Sequence, residues 1–385
     1  QHVLHLFVGA GAPEEILWQA KPHIGTDLLV DIVRNIRKQI EQAGGEVRFN
    51  TQLTALHFES GRLTQAEITR FATQSETATE LIPASRLVLA CGHSARDTFE
   101  LVRDASVHME QKPFSVGVRI EHPQQLINRS QYGKAADHPA LGAADYKLSM
   151  HLRPQKGDEQ GRGVYTFCMC PGGEVVCAAS EPEGVVVNGM SRFARDGQNA
   201  NSALLVGVGP EDFDGEDPLA GVKLQREMEQ AAYRAAIAAG GEPYQAPAQT
   251  VGDFLAHRVG GRSKQVKPTY ARGVAWCDLH ECLPAFVARA MEQALPQLDR
   301  RLHGFADSQA VLTGVETRSS SPVRIVRGKN MQAQLVAASA DAAALEPETG
   351  LYPCGEGAGY AGGIMSAACD GLRVASALVE SLRPE

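Results

Sequence analysis

The 385 residues carry 43% apolar and 21% charged side chains, which suffices for a buried core, rules out disorder as the dominant state and, at this length, points to two or three folding units. With 37 basic and 45 acidic residues the formal charge is −8, so the broad basic field that phosphate backbones require is missing and nucleic acid is not an expected partner. No apolar run reaches the ~20 residues that span a bilayer, which leaves a small molecule as the expected partner and no membrane.

The chain opens on an apolar run, Val3 to Phe7, followed by Val8-Gly9-Ala10-Gly11-Ala12-Pro13-Glu14. This resembles the turn of a dinucleotide-binding βα unit, but Glu14 stands at the third glycine position, where its bulk separates helix from strand. Lys21-Pro22 also stops the following helix too early, so a loop before a short helix is the better reading. Thr26 to Ala43 reads as a helix, with Leu28, Leu29, Ile32, Val33, Ile36 and Ile40 at helical spacing, Thr26 or Asp27 as cap, and Gly44-Gly45 as its end. Glu46 to Asn50 reads as a strand, Leu53 to Glu59 and Arg62 to Arg70 as a hairpin around Ser60-Gly61, and Leu87 to Ala90 as a buried strand meeting Cys91-Gly92.

From about Ala95 to Gly209 the chain turns glycine- and proline-rich, with β-prone runs at Phe114–Ile120, Val164–Met169, Glu174–Ala179, Gly184–Val187 and Leu204–Val208. A mainly antiparallel domain is expected, with Pro171-Gly172-Gly173 as a hairpin turn between two of its strands. Lys223 to Ala239 and Pro284 to Arg301 read as helices, the second with proline in its first turn. At the end, Leu351 to Cys354 is a strand, Gly355 to Gly363 a glycine-rich loop, and Ile364 to Leu382 a helix.

Eight cysteines (Cys91, Cys168, Cys170, Cys177, Cys277, Cys282, Cys354, Cys369) form no Cys-x-x-Cys pair, which argues against a disulfide scaffold or a zinc ribbon and for a reducing cytoplasm. No metal site is expected. The Asn128-Arg129-Ser130 triplet is read as a chance match to a glycosylation signal. The opening stretch lacks the features of a signal peptide, and Gln1 in place of Met leads to the expectation that further chain lies upstream.

Gly357-Ala358-Gly359-Tyr360-Ala361-Gly362 matches Gly-x-Gly-x-x-Gly between a strand and a helix, but too little chain follows to complete a βαβ unit. Its glycines suit close backbone approach to a flat or charged ligand at a helix start, with Glu356 placed to accept from hydroxyls; tight packing on the sheet is the alternative.

These residues resemble a known group. Gly350-Leu351-Tyr352-Pro353-Cys354-Gly355-Glu356 and the glycines through Gly363-Ile364 look like the closing flavin motif of glutathione-reductase-type flavoproteins. More narrowly, the chain resembles the uncharacterised bacterial FAD-dependent dehydrogenases, or NAD(P)/FAD-dependent oxidoreductases. Matching stretches include Lys21 to Asp27, Cys91 to Thr98, Val116 to Pro123, Phe167 to Glu174, Ala246 to Phe254 and Gly314 to Ile325. The resemblance implies an α/β FAD/NAD(P)-binding domain, incomplete at its N-terminus for want of the family's Rossmann Gly-x-Gly-x-x-Gly unit. Its pieces are 1–95 and 346–385, with a mixed β-rich and helical substrate domain inserted at 96–345. It implies FAD as cofactor and leaves NAD(P) open as electron partner.

By that resemblance Glu356 binds the ribityl chain, and Gly362, Gly363 and Ile364 bring the first helix amides to the flavin pyrimidine edge. Gly355 and Gly357 shape the loop, Leu53 gives a backbone contact to adenine, and Cys91-Gly92 forms the turn beside the cofactor. Arg318 and Arg324, with Arg327 and three serines, suit a carboxylate or phosphate substrate, as does Arg119 with His122. Cys168 and Cys170, spaced to share one strand face, are read as buried apolar residues, and His93 as an acid–base candidate or a structural histidine. No catalytic residue is assigned. The expected function is that of a FAD-dependent oxidoreductase, present as a part of its parent; the alternative is a non-catalytic binding or regulatory module that has lost the cofactor. A flavoprotein acting on tRNA is disfavoured by the charge.

Overall fold

The computed structural model describes residues 1–71, 77–154, 161–336 and 348–383. Two helices, α1 (His2–Gly9) and α2 (Thr26–Gln42), precede an antiparallel meander of β1 (Thr51–Glu59), β2 (Arg62–Phe71) and β3 (Thr77–Pro83). Ser60 and Gly61, at φ 52 and 79, make the left-handed two-residue turn that the β1–β2 hairpin needs. Next come β4 (Leu87–Leu89), α3 (Arg96–Asp104) and β5 (Met109–Gln111). The middle of the chain runs β6 (Phe114–Pro123), α4 (Gln124–Tyr132), β7 (Ser149–Leu152), β8 (Arg162–Cys170), β9 (Glu174–Cys177), β10 (Val187–Met190) and β11 (Asn199–Val208). It continues with α5 (Ala220–Ala238), β12 (Ala246–Thr250), α6 (Val251–Leu255), β13 (Val274–Trp276), α7 (Ala285–Asp299) and β14 (Val311–Glu316). The chain closes with β15 (Val323–Ile325), β16 (Leu351–Pro353) and α8 (Ile364–Ser381).

The middle elements build a seven-stranded sheet, ordered β13-β12-β14-β6-β11-β8-β7 and antiparallel except between β12 and β13. Val116, Val118 and Ile120 of β6 and Leu204 and Val206 of β11 are fully buried, and α5 and α7 add Met228, Ala232, Val287 and Met291 to the same core. A second core gathers Leu56, Leu89, Phe99, Val102, Met109, Val323, Ile325 and Leu351 from both ends of the chain. There β5 pairs with β15, and β4 lies parallel to β16. Residues of α3 and β5 thus share this second core with Leu56, Leu89 and Leu351, and the 345/346 boundary lies outside the described residues. Among the described residues no helix is long and apolar enough to cross a membrane.

Several local expectations change. The run Val3 to Phe7 lies within helix α1, whereas the loop before a short helix expected after the first glycines is present, the helix being the single turn Glu14–Leu17. Glu46 to Asn50 is irregular: Asn50 takes a left-handed φ of 51, so β1 begins only at Thr51. Gly25, not Thr26 or Asp27, caps α2, and the Asp27 carboxylate instead accepts the Phe193 amide at 2.9 Å, tying α2 to the loop after β10. Gly184 to Val186 precede the strand, which starts at Val187. Pro171-Gly172-Gly173 turns the chain without joining paired strands, because β9 pairs with β10 while β8 pairs with β11 and β7. Gly172 packs there so closely that an added Cβ would sit 2.0 Å from the Arg195 carbonyl oxygen.

Candidate functional site

The loop after β16 is held from both sides. Asp370 of α8 accepts the Gly355 amide at 2.8 Å and both guanidinium nitrogens of Arg327 at 2.6 and 3.0 Å. Burial opposes the Asp370 charge, yet the Arg327 and Gly355 donors prevail and hold its carboxyl below the usual range. Arg327 also donates to the Pro353 carbonyl at 2.8 Å and lies 3.8 Å from the Tyr360 ring centre. This clasp folds α8 back over the loop. Gly355 sits at φ 75, where a side chain would be strained, and Gly357 meets Gly92 backbone to backbone: a Cβ on Gly357 would lie 2.3 Å from the Gly92 oxygen. The turn that contains Cys91-Gly92 and the glycine loop are therefore one structure.

Two parts of that loop remain open. Added Cβ atoms at Gly362 and Gly363 would meet nothing within 4 Å, so the start of α8 has open space beside it, with the Gly362 amide donating to Ser366 Oγ at 3.1 Å. The half-buried Glu356 carboxylate has no hydrogen-bond partner among the described residues; burial raises its pKa while Lys112 pulls the other way. Lys112 is itself held below the ordinary lysine range by burial and by Arg324.

Beside the α8 start lies a cavity of about 370 Å³. Its walls come from α1 (Leu4, Phe7), the α2 entry (Ile24, Leu29), the β8 end (Cys168, Met169), β10 (Met190) and α8 (Ile364, Met365). His23 and Arg195 supply its polar rim, and burial lowers the His23 pKa. Asp27 on the Phe193 amide, and the Thr26 amide on the Ser191 carbonyl at 3.1 Å, fix α2 against this wall.

Of the residues expected at the site, Gly92, Gly355, Glu356, Gly357, Gly362, Gly363 and Ile364 lie in or against this one loop. Cys91 packs against the second core, and burial pushes its thiol up to about 11. Leu53 pairs opposite Ile68 in the meander and packs on that same core. Arg324 is exposed on β15, its guanidinium 5.6 Å from the Tyr360 ring centre.

The other two arginines expected at a substrate face inward. Arg119 is fully buried, with its guanidinium on Glu316 at 3.1 Å, the Asn201 side-chain oxygen at 3.1 Å and the Cys168 carbonyl at 2.9 Å. Arg318 grips Glu229 at 2.8 and 3.0 Å, and Arg96 grips the same carboxylate at 2.7 and 2.9 Å. Burial pushes Glu229 up, but donors from Arg318 and Arg96 outweigh it and keep the carboxyl below the ordinary range. Both arginines are structural charges locked by buried partners. His122 is likewise fully buried, with Nε2 at 2.8 Å from the Phe305 carbonyl and Nδ1 unpartnered. His93 keeps company with this network, and burial and Arg318 lower its pKa.

Cys168 and Cys170 do not share a face. A register shift in the β8–β11 pairing and a φ of 40 at Cys168 form a bulge, leaving Cys168 exposed and Cys170 buried, although both border the cavity. Partial burial of the Cys168 sulfur and the charge of Glu316 push its thiol up to about 11, which favours the protonated thiol. The cavity walls Met169, Met190 and Met365 were not foreseen, since nothing in their local sequence marks three methionines from distant segments as neighbours.

The chain is thus an α/β protein with two large buried clusters, and its terminal segments bring the glycine-led start of α8 to the wall of an apolar cavity. A family model described as "FAD-dependent protein, C-terminal domain-like" matches residues 113–319, more than half of the chain, and the protein belongs to that family. A protein of Clostridium beijerinckii described as uncharacterized is 46% identical over 378 residues, covering 98% of this chain and 65% of its own length. The chain therefore spans about two thirds of that relative. A solved triple mutant of the flavin-dependent brominase Bmp2 aligns over 93% of this chain and 57% of its own at 11% identity and a TM-score of 0.37, too slight a likeness to carry weight.

Proposed function

We propose that this chain is the larger part of a FAD-dependent oxidoreductase of glutathione-reductase-like build. In this reading the loop from Gly355 to Ile364 faces the flavin and the adjoining cavity receives the substrate. The observation that carries the reading is the half-buried Glu356 carboxylate, without a hydrogen-bond partner among the described residues, in the loop that ends at Gly362 and Gly363, followed at once by Ile364 and Met365 in the wall of a cavity of about 370 Å³. Membership of a FAD-dependent family supports it. The flavin supplies hydride transfer when bound.

The chain's own residues do the rest. Glu356 accepts from hydroxyls of the ligand, which offsets the cost of burying its charge. The α8 amides, at the positive end of an 18-residue helix, favour an electron-rich ligand edge. Leu4, Phe7, Leu29, Met169, Met190 and Met365 exclude water and select an apolar substrate body, while Arg195 on the rim suits an anionic group.

The dinucleotide-binding unit that carries the pyrophosphate belongs, in this reading, to the third of the relative's length that the chain does not span. Exposed apolar residues support that placement: Val88 on β4 at 43%, Val30 and Val33 on α2 at 59% each, and Val379 on α8 at 53%. A parallel pair such as β4–β16 is usually covered on both faces, and this one presents Val88 to solvent. Neither the family nor the cavity adds support for a nicotinamide partner, and the proposal stops at the flavin.

The test is a FAD titration of the purified full-length protein followed at about 450 nm, with Glu356→Gln alongside. Tight binding by the wild type, weakened about 10- to 100-fold by Glu356→Gln, is the expected result. A protein that ignores FAD would overturn the reading and favour a binding module instead.

A further inference from the structure

On the substrate domain, away from the glycine loop, three ligand-bearing side chains converge. His257 lies just beyond α6, His280 in the turn before α7 and Glu292 on α7, and their ligand atoms all lie within 4.8 Å of one another. The Glu292 Oε1 atom stands 2.7 Å from His280 Nε2 and 3.0 Å from His257 Nε2. Asp278 Oδ1 holds the remaining His280 nitrogen, Nδ1, at 2.6 Å. The rings of Phe254 and His257 each stack with His280 at 4.5 Å between centres, so that ring is fixed by packing as well as by hydrogen bonds.

We propose that His257, His280 and Glu292 form a binding site for a divalent transition-metal cation of the zinc class. Two imidazoles and one carboxylate are the donor set that zinc takes in sites that keep a fourth position open for water. Asp278 has the place of the outer carboxylate that fixes the tautomer of a metal-bound histidine and leaves Nε2 free to coordinate. The present spacings of 2.7 and 3.0 Å fall a few tenths short of the ~3.3 Å between ligand atoms around tetrahedral zinc. His257 can supply that opening: it sits on a turn with 64% of its side chain exposed, whereas His280 and Glu292 are 20% and 23% exposed.

A bound cation would clip the end of α6, the turn before α7 and α7 together. The spacing of 23 and 12 residues in sequence matches no short motif, and only the fold brings the three together. The proposal is independent of the flavin reading.

The experiment is calorimetric titration of the chelator-stripped protein with Zn²⁺, and with Co²⁺ for its visible spectrum. One equivalent is expected to bind, with the intense visible bands of a four-coordinate cobalt site. His257→Ala and Glu292→Gln should each weaken binding at least tenfold, and Asp278→Asn, which keeps all three ligands, about 10- to 100-fold. Circular dichroism of His257→Ala, altered only at an exposed turn, confirms that the fold is intact. Failure of the wild type to bind up to millimolar Zn²⁺, or equal affinity in the wild type and His257→Ala, would overturn the proposal and leave a hydrogen-bonded His–Glu–His cluster.

Discussion

Replacing Glu229 by glutamine tests whether the buried ion network ties the two cores together. Glu229 exposes 1% of its side chain, Arg96 2% and Arg318 4%, and the three come from α5, α3 and the segment after β14. Arg96 and Arg318 are balanced by Glu229 and Glu181, the latter also paired with Arg226. Glu229→Gln leaves both buried guanidinium groups facing an amide: Arg96 keeps its direct contact with Glu181, and Arg318 loses its carboxylate. Removing one partner of a buried pair costs about 3–5 kcal/mol, because the other charge stays desolvated. Glu181, at 26% exposure, is more solvated, and Glu181→Gln should cost only about 1 kcal/mol.

The pH dependence follows from the same charges. Hydrogen bonds from Arg226, opposed by burial and joined by Arg96, hold Glu181 down at about 2, and Glu229 is also below its ordinary 4.5. A depressed carboxyl contributes stability above its unfolded pKa and loses it as pH falls through the folded one. The wild type should therefore lose stability between about pH 4.5 and 2, and Glu229→Gln should lose less over that range. Urea unfolding followed by circular dichroism at pH 7 reads the first effect and acid titration the second. A cost below about 1 kcal/mol for Glu229→Gln, or a larger cost for Glu181→Gln, would refute the assignment of the network as the buried tie.

Gly357→Ala places a Cβ 2.3 Å from the Gly92 carbonyl oxygen, so the glycine loop must part from the turn; a loss of about 1–3 kcal/mol in unfolding and weaker FAD binding are expected, read by urea titration and flavin absorbance. His122 is held neutral by burial, its pKa lowered to about 4 from 6.5. As pH falls below 6.5 the unfolded chain takes up this proton first, so stability should drop by about 2 kcal/mol between pH 7 and 5, and His122→Gln should flatten that slope.

Elements with a strong local signal were legible in the sequence. The apolar stripe of α2, the Ser60-Gly61 turn, the proline before α7 and the closing strand–glycine–helix order all emerge where their residues place them. The run Val3 to Phe7 is too short to distinguish a strand from a helix by periodicity; in the fold it is helical, with Leu4 and Phe7 packed on Ala10, Ala12, Ile16 and Ile32. Pairing that depends on distant chain was not legible: β8 and β9 part company because their partners are elsewhere.

The same limit applies to function. Arg119 and Arg318 read as ligands for an anion because their buried carboxylates lie 197 and 89 residues away. One signal was present: Glu229 and Gln225 fall on the buried face of α5 beside Met228 and Ala232, where a charge must have a partner. The bulge at Cys168, which breaks the alternation assumed for the two cysteines, leaves no mark in sequence at all.

The most direct measurement is amide hydrogen exchange in the FAD-loaded and FAD-stripped full-length protein, resolved over residues 355–366. If the glycine-led start of α8 faces the flavin, the amides of Gly363 and Ile364, at the first turn of the helix beside the open space at Gly362 and Gly363, slow on loading while those of β1 do so less. Unchanged exchange there, with protection appearing only elsewhere in the chain, would contradict the account.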